Sequence, residues 1–134
     1  MRLVVDTNVL VSALLKPGSV PDRLLARLER SDVEVVFDAR IEDEWARVIA
    51  RKKFAHVPRE RGERLLAALR RGTRHERVPP WSGEMIDDDD RMFVEVAHAA
   101  GAAIVTGNVK HFPAEALPVE VHRPAALLDA LTGE

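Results

Sequence analysis

Short apolar runs alternate along the chain with segments in which apolar residues recur every three or four positions. Runs of four or five mostly apolar residues are typical of short buried strands, and the recurring pattern is typical of amphipathic helices. Strands are therefore predicted at 2–5, 33–37, 102–105 and 119–122, with a further short edge strand at 76–78. Helices are predicted at 9–15, 19–30, 41–49, 58–71, 87–101 and 123–131.

The alternation of strands and helices predicts an α/β fold, in which helices cover both faces of a mostly parallel sheet of four or five strands. A length of 134 residues fits a single domain, 1–134, and 46% apolar content excludes general disorder. In such a sheet the crossovers bring the carboxyl ends of the strands to one edge, where open parallel sheets bind their ligands.

Polar residues from separate parts of the chain are expected to meet at this edge. Asp6, Asp38 and Asn108 each follow a predicted strand. Glu44 lies early in the helix after Asp38, and Asp90 lies near the start of a helix that leads into a strand. Helix capping would account equally well for Asp6 taken alone. The convergence of several such residues therefore carries the prediction of a site.

Helical periodicity singles out Asp90 among the four consecutive aspartates. At about 100° per residue, Asp90 shares a face with the apolar positions three, four and seven residues later, whereas Asp88 and Asp89 point away. A carboxylate on a core-facing stripe is costly to desolvate unless a cation, backbone N–H groups or a metal ion compensate it. The same periodicity does not choose between Glu42 and Glu44, which both flank an apolar stripe.

The net charge of −2 conceals an uneven distribution, because residues 47–77 carry 11 Lys and Arg against 3 acids. The remainder of the chain is rich in acids. A basic segment beside an acidic one would steer a polyanion toward a site that needs a divalent cation. A solvated, arginine-rich helix face accounts for the same charges equally well.

The absence of cysteine excludes disulfides and thiolate ligands, so any metal ion must be held by oxygen or imidazole. Clustered carboxylates favour Mg²⁺ or Mn²⁺ over zinc, and such a site suits the hydrolysis of phosphodiesters. No apolar run is long enough to span a bilayer, and the start of the chain lacks the apolar core of a signal peptide. We therefore expect a cytoplasmic protein without a membrane partner.

Four motifs, in order and spaced over most of the chain, resemble the PIN-domain nuclease family, in particular the VapC-like ribonucleases that are toxins of bacterial toxin–antitoxin pairs. These motifs are Val4-Val5-Asp6-Thr7-Asn8-Val9, then Glu44-Trp45 with Val48-Ile49 and Arg51, then Asp87 and Asp90 with Phe93 and Ala97, then Ile104-Val105-Thr106-Gly107-Asn108. Each motif is weak by itself. The resemblance implies a three-layer α/β/α fold and cleavage of RNA with Mg²⁺ or Mn²⁺ held by acidic residues.

Carried over position by position, the resemblance makes Asp6, Glu44 and Asp90 the catalytic, metal-binding acids, and so selects Glu44 over Glu42. Asp87 is the near companion of Asp90.

The remaining assignments concern supporting residues. Thr7 and Asn8 are expected to support the first acid by hydrogen bonds. Asn108 occupies a position that is often Asp in the family, which favours one tightly bound ion. Lys110 or His111, together with Arg51, are the candidates for contact with substrate phosphates. The five histidines share no ligand spacing, and none is assigned a catalytic role.

The resemblance also implies a cognate antitoxin and a homodimer. Two rival interpretations stay open at this stage. A phospho-acceptor receiver domain also gathers acids at a sheet edge, but it needs paired acids after the first strand, where only Asp6 is present. A catalytically attenuated RNA-binding or regulatory module is suggested by the amide at Asn108.

Overall fold

Five parallel strands form the centre of the molecule, in the order β3-β2-β1-β4-β5. The computed structural model describes residues 1–133. The strands are β1 (Arg2–Val5), β2 (Glu34–Phe37), β3 (Thr73–Arg74), β4 (Ala103–Val105) and β5 (Val121–His122). Each of the four neighbouring pairs is parallel, so the predicted sheet is confirmed.

Six α-helices surround the sheet: α1 (Thr7–Leu15), α2 (Val20–Leu28), α3 (Ala39–Ile49), α4 (Arg59–Arg70), α5 (Arg91–Ala100) and α6 (Pro124–Thr132). Successive strand residues point to opposite faces, and Leu3, Val4 and Val5 of β1 are all fully buried. Both faces of the sheet are therefore covered, which confirms the predicted α/β/α layers. Within residues 1–133, no helix combines the length and apolarity that a bilayer crossing requires.

The edge strand predicted at 76–78 is wrong, because the edge strand is β3, which ends at Arg74. It pairs with the last two residues of β2, and the His75 N–H then donates to the Phe37 carbonyl at 2.7 Å. Since β2 ends at Phe37, residues 76–78 have no strand to pair with. Gly72 permits the close approach before β3, as a Cβ there would lie 1.9 Å from the Val35 carbonyl oxygen.

The aspartate run also differs in detail from the prediction. Residues Asp88–Asp90 form a single 3-10 turn, and the α-helix begins at Arg91 with Asp90 as its N-cap residue. The Asp87 carboxylate accepts a hydrogen bond from the Asp89 N–H at 3.0 Å, which favours the tighter turn. Asp90 is nevertheless half-buried in line with the core-facing stripe of α5, as its periodicity indicates.

Arg61 of α4 ties the basic segment to the first helix. Its guanidinium donates to the carbonyls of Ala13 and Leu14, which are unpaired within α1 because they lie in its last turn. It also lies 3.3 Å from the carboxylate of Asp22 in α2, and its side chain is only 13% exposed. One arginine therefore joins α1, α2 and α4.

Replacement of Arg61 tests this junction. We expect Arg61→Ala to lower the free energy of unfolding by about 2–3 kcal/mol, because it removes charged hydrogen bonds and leaves Asp22 without its cation. Urea denaturation measures the change, and Arg64→Ala on the exposed face of the same helix is the matched control. Equal losses in the two variants would contradict a specific role for Arg61.

Candidate active site

Asp6 lies between β1 and α1 and is 94% shielded from solvent, with a relative exposure of 6%. Its N–H continues the sheet by donating to the Val105 carbonyl at 3.0 Å. Its side chain makes no capping hydrogen bond to α1, although it occupies the N-cap position. Instead it accepts a hydrogen bond of 2.7 Å from the Thr106 hydroxyl. Capping therefore does not explain why a carboxylate is buried here.

Thr106 is the centre of the hydrogen bonds around Asp6, and the sequence assignments left it without a role. Its fully buried Oγ1 donates to Asp6 and accepts from the Asn108 N–H at 2.9 Å and from Asn8 Nδ2 at 3.3 Å. The Asn8 Oδ1 in turn accepts from the Gly107 N–H at 3.1 Å. Thr106 and Asn8 thus join the ends of β1 and β4. In the sequence, the Thr-Gly pair of the fourth motif was the feature that could have indicated this role of Thr106.

Glu44 and Glu42 face different partners in the structure. The Thr7 hydroxyl donates to Glu44 Oε2 at 2.5 Å, which holds that carboxylate beside the end of β1. Glu42 instead pairs with Arg70 at 2.9 Å and with Arg74 at 3.6 Å. Glu44 is therefore at the sheet edge near Asp6, whereas Glu42 belongs to a surface ion-pair cluster.

Asp90 meets both an acid and a histidine. Its Oδ2 lies 3.4 Å from Nδ1 of His111, a residue that the sequence suggested only as a possible substrate contact. One donor atom each from Asp87, Asp90 and His111 lie within 4.8 Å of one another. Asp88 and Asp89 are exposed, as their helical positions indicate.

Within residues 1–133, that trio is the only set of three candidate ligands with such close donor atoms. Asp6 and Glu44 stay outside it because threonine hydroxyls hold their carboxylates, Thr106 for Asp6 and Thr7 for Glu44. Their charges are still close enough to act on each other and on Asp90. The site therefore has two parts: an Asp6–Glu44 side and an Asp87–Asp90–His111 side.

The pKa values reflect this crowding of acids. Burial, with contributions from the charges of Asp90 and Glu44, raises the pKa of Asp6 to about 6 despite the opposing Thr106 hydrogen bond. Burial and the neighbouring charge of Asp87 raise the pKa of Asp90, and His111 opposes this shift. In the described part of the chain, no Lys or Arg lies within 4.0 Å of the carboxylates of Asp6 or Asp90. Asp6 and Asp90 therefore lack a compensating lysine or arginine, and the exposed Arg47 lies 3.9 Å from Glu44.

The donor set fits a divalent cation. It offers carboxylate oxygens from Asp6, Glu44, Asp87 and Asp90, and one imidazole, with no sulfur. Hard oxygen ligands of this kind suit Mg²⁺ or Mn²⁺. A bound cation would offset the burial of Asp6 and the repulsion between the acids. Asp6 and Asp90 have no arginine or lysine within 4.0 Å in residues 1–133, and Glu44 has the exposed Arg47 at 3.9 Å.

The remaining predicted site residues are Asn108, Lys110 and Arg51. Asn108 follows β4 and precedes a 3-10 turn, Val109–His111, that carries the exposed Lys110 past the site. Asn108 is positioned by its N–H bond to Thr106. Arg51 is exposed just after the end of α3, about 10 Å along the helix axis from Glu44.

The half-exposed Arg40 joins two buried acids, Asp38 and Glu95, in an ion-pair network that is separate from the acids of the site. Glu95 of α5 is buried, and it pairs with Arg40 at 2.7 Å and accepts from the Trp81 N–H at 2.8 Å. Arg40 also pairs with Asp38 at 2.8 Å, and Asp38 caps α3 through the Ile41 N–H. This network joins the start of α3 to the middle of α5 and to the loop that precedes α5. Sequence analysis missed Glu95 because its partners are distant in the chain.

These observations define a class of protein, namely a parallel α/β domain with uncompensated acids gathered at the carboxyl edge of its sheet. Residues 2–110 match the sequence model of the PIN domain. The chain therefore belongs to the PIN-domain family, the nuclease family that its motifs resemble.

Solved structures share this fold. VapBC2 from Rickettsia felis, bound to a DNA fragment from its promoter, is 19% identical with a TM-score of 0.61, covering 92% of this chain and 98% of that one. A PilT N-terminus domain protein from Sulfolobus solfataricus is 16% identical with a TM-score of 0.59, covering 100% and 96%. VapBC-1 from nontypeable Haemophilus influenzae is 16% identical with a TM-score of 0.59, covering 93% and 99%. Comparison with curated protein sequences gives no match.

The raised pKa of Asp6 predicts that its charge destabilises the metal-free fold. Because the folded-state pKa of about 6 exceeds the ordinary value of 3.8, stability falls as pH rises through this window. In EDTA at pH 8 we expect Asp6→Asn to unfold with a free energy about 1–3 kcal/mol higher than that of the wild type. Urea denaturation at pH 8 and pH 4 checks this.

The difference between the Asp6→Asn variant and the wild type should shrink toward pH 4, where Asp6 is protonated in the folded wild type. Asp89→Asn, at an exposed position, is the control and should show no such pH dependence. A stabilisation that is the same at both pH values would argue against a titrating Asp6.

Thr106→Val removes the hydroxyl but keeps the shape of the side chain. The buried Asp6 carboxylate then loses its donor and the Asn108 N–H loses its acceptor, so we expect a loss of about 1–3 kcal/mol in unfolding free energy at pH 8. Thr106→Ser keeps the hydroxyl and should retain most of the stability. Equal losses for Val and Ser in urea denaturation would assign the effect to packing instead.

Proposed function

We propose that the protein is a metal-dependent endoribonuclease that hydrolyses phosphodiester bonds of RNA with Mg²⁺ or Mn²⁺. The observation that carries this proposal is the buried Asp6 carboxylate, raised in pKa and close to Glu44 and Asp90 without a compensating arginine or lysine in residues 1–133. The placement of these acids in a PIN-domain chain supports the assignment.

In this proposal Asp6, Glu44 and Asp90 are the residues that would hold the cation. When bound, the cation would lower the pKa of the attacking water and offset charge on the departing oxygen. Asp87, three residues before Asp90, assists it, and Asn108 provides a neutral amide near the end of β4. The neutral amide favours one tightly held ion.

The hydroxyls of Thr7 and Thr106 fix the two carboxylates before any ligand arrives. Because Glu44 and Asp6 are each held by a hydrogen bond of 2.5–2.7 Å, their orientation costs little further entropy on binding. Asn8 adds to this by linking Thr106 and Gly107. These three residues are positioning residues in the proposal.

The basic segment 47–77 contributes less free charge than its composition suggests. Six of its arginines lie within 4.0 Å of acids, namely Arg47, Arg59, Arg61, Arg70, Arg71 and Arg74. We propose that two exposed cations contact the phosphates of the RNA: Arg51, and Lys110 beside the acids. Replacing either residue would weaken binding more than catalysis.

We also propose that the protein is the toxin of a toxin–antitoxin pair, acts as a homodimer and is held inactive by a cognate antitoxin protein. The similarity of its fold to the VapBC structures from Rickettsia felis and Haemophilus influenzae supports this assignment, together with the sequence motifs.

A second candidate function is an RNA-binding or regulatory module that has lost catalysis. The observation in its favour is Asn108, an amide where an acid would add charge for a second ion. Tight binding of RNA without cleavage across Mg²⁺, Mn²⁺ and Co²⁺ would support this alternative over the nuclease.

Cleavage assays with labelled RNA test the main proposal. We expect Asp6→Asn and Asp90→Asn each to lower the Mn²⁺-dependent cleavage rate by at least about 100-fold, since each removes a charged ligand of the ion. The exposed Asp89→Asn is the matched control and should cleave like the wild type.

EDTA should abolish cleavage, and single-stranded DNA of the same sequence should be cut more slowly than RNA. Circular dichroism establishes that each variant is folded before its activity is compared. Full activity of either acid variant, or cleavage in EDTA, would exclude the proposed mechanism.

A further inference from the structure

We propose that His111 is a direct ligand of a divalent cation on the Asp87–Asp90 side of the site, and that its imidazole gives this side a preference for Mn²⁺ over Mg²⁺. The inference rests on the proposed nuclease function and deepens it, because it names a nitrogen ligand in a site whose other ligands are oxygens. Asp90 would then be the residue shared by the Asp6–Glu44 side and the Asp87–Asp90–His111 side of the site.

The distances suit a shared ion. His111 Nδ1 lies 3.4 Å from Asp90 Oδ2, and the donor atoms of the trio all lie within 4.8 Å of one another. Two ligands held at about 2.1 Å from one ion are at most about 4.2 Å apart. Small side-chain rotations are therefore enough to bring Asp87, Asp90 and His111 onto one cation, and all three are half-buried rather than locked in the core.

The backbone that carries His111 is held in place from both ends. At the start of its 3-10 turn, the Asn108 N–H donates to Thr106, and the His111 N–H donates to the Asn108 carbonyl at 3.1 Å. At the end, the buried Phe112 packs edge-on against Phe93, with ring centroids 6.4 Å apart. Phe93 lies one turn after Asp90 on α5, so this packing keeps the histidine next to Asp90.

The local charges favour a cation at this place. Asp87 and Asp90 repel each other, and the charge of Asp87 contributes to the raised pKa of Asp90. His111 is the basic side chain in contact with Asp90. A neutral imidazole binds a divalent ion through its free nitrogen, and the gain over an oxygen ligand is larger for Mn²⁺ than for Mg²⁺. An imidazole beside two carboxylates therefore shifts the preference toward Mn²⁺.

A positioning role is the rival to direct ligation. In that case His111 Nδ1–H donates to the Asp90 carboxylate and orients it, while only oxygens touch the ion. Both roles predict weaker metal binding when His111 is replaced. They differ in whether a histidine nitrogen lies in contact with the bound Mn²⁺.

Electron spin echo spectroscopy of bound Mn²⁺ distinguishes the two, because a directly coordinated nitrogen modulates the echo. Mn²⁺ is titrated into the full chain from below one equivalent to saturation. We expect nitrogen modulation in the wild type and its loss in His111→Asn. His98→Asn, at an exposed position on α5, is the matched control and should keep the modulation.

Calorimetry of the same proteins measures the metal preference. We expect His111→Asn to lower Mn²⁺ affinity by about tenfold or more and Mg²⁺ affinity by less. Absence of nitrogen modulation in the wild type at every Mn²⁺ level, or its persistence in His111→Asn, would overturn the inference, as would equal losses for the two metals.

The outcomes separate the two proposals. Wild-type protein that cleaves RNA with Mn²⁺ but shows no nitrogen modulation would overturn the histidine ligand and leave the nuclease intact. Nitrogen modulation in a protein that cleaves no RNA would establish the histidine ligand and overturn the nuclease.

Discussion

The hydrogen bond from Thr106 to the buried carboxylate of Asp6 is the interaction on which the site depends. It joins the ends of two adjacent strands, β1 and β4, and so it exists only when the parallel sheet is assembled. The same hydroxyl receives the Asn108 N–H and therefore sets the course of the chain toward His111. The placement of the site residues therefore depends on assembly of the sheet.

The topology explains why residues so far apart in sequence meet. β1 and β4 are adjacent in the sheet although about 100 residues separate Asp6 from Thr106, and β2 lies on the other side of β1. Each strand therefore delivers its own polar residue to the same edge: Asp6 from β1, Glu44 through the helix that follows β2, and Asn108 from β4. Leu3, Val4 and Val5 of β1 are fully buried, so the chain can place a polar residue of the site only where β1 ends.

Periodicity predicted the order and type of the main elements because their stripes are strongly apolar, and it identified Asp90 because one carboxylate interrupted such a stripe. It failed at 76–78, where the edge strand depends on how far β2 extends rather than on local apolarity. It could not choose between Glu42 and Glu44, since the choice is made by partners elsewhere, Arg70 and Thr7. The place of His111 beside Asp90 was not predicted for the same reason, because it depends on the packing of two phenylalanines from different elements.

The acids of this protein differ in how their charge is compensated, and this difference separates structure from site. Glu95 is as buried as Asp6, yet it has Arg40 at 2.7 Å and the Trp81 N–H at 2.8 Å. Where the fold needs a buried carboxylate for its own stability, the chain thus provides a cation. At Asp6 the structure provides neutral hydrogen-bond donors and no cation, and the pKa rises to about 6. Burial of this carboxylate costs free energy, and no lysine or arginine in residues 1–133 compensates its charge. A ligand that supplies a positive charge explains why the carboxylate is buried there.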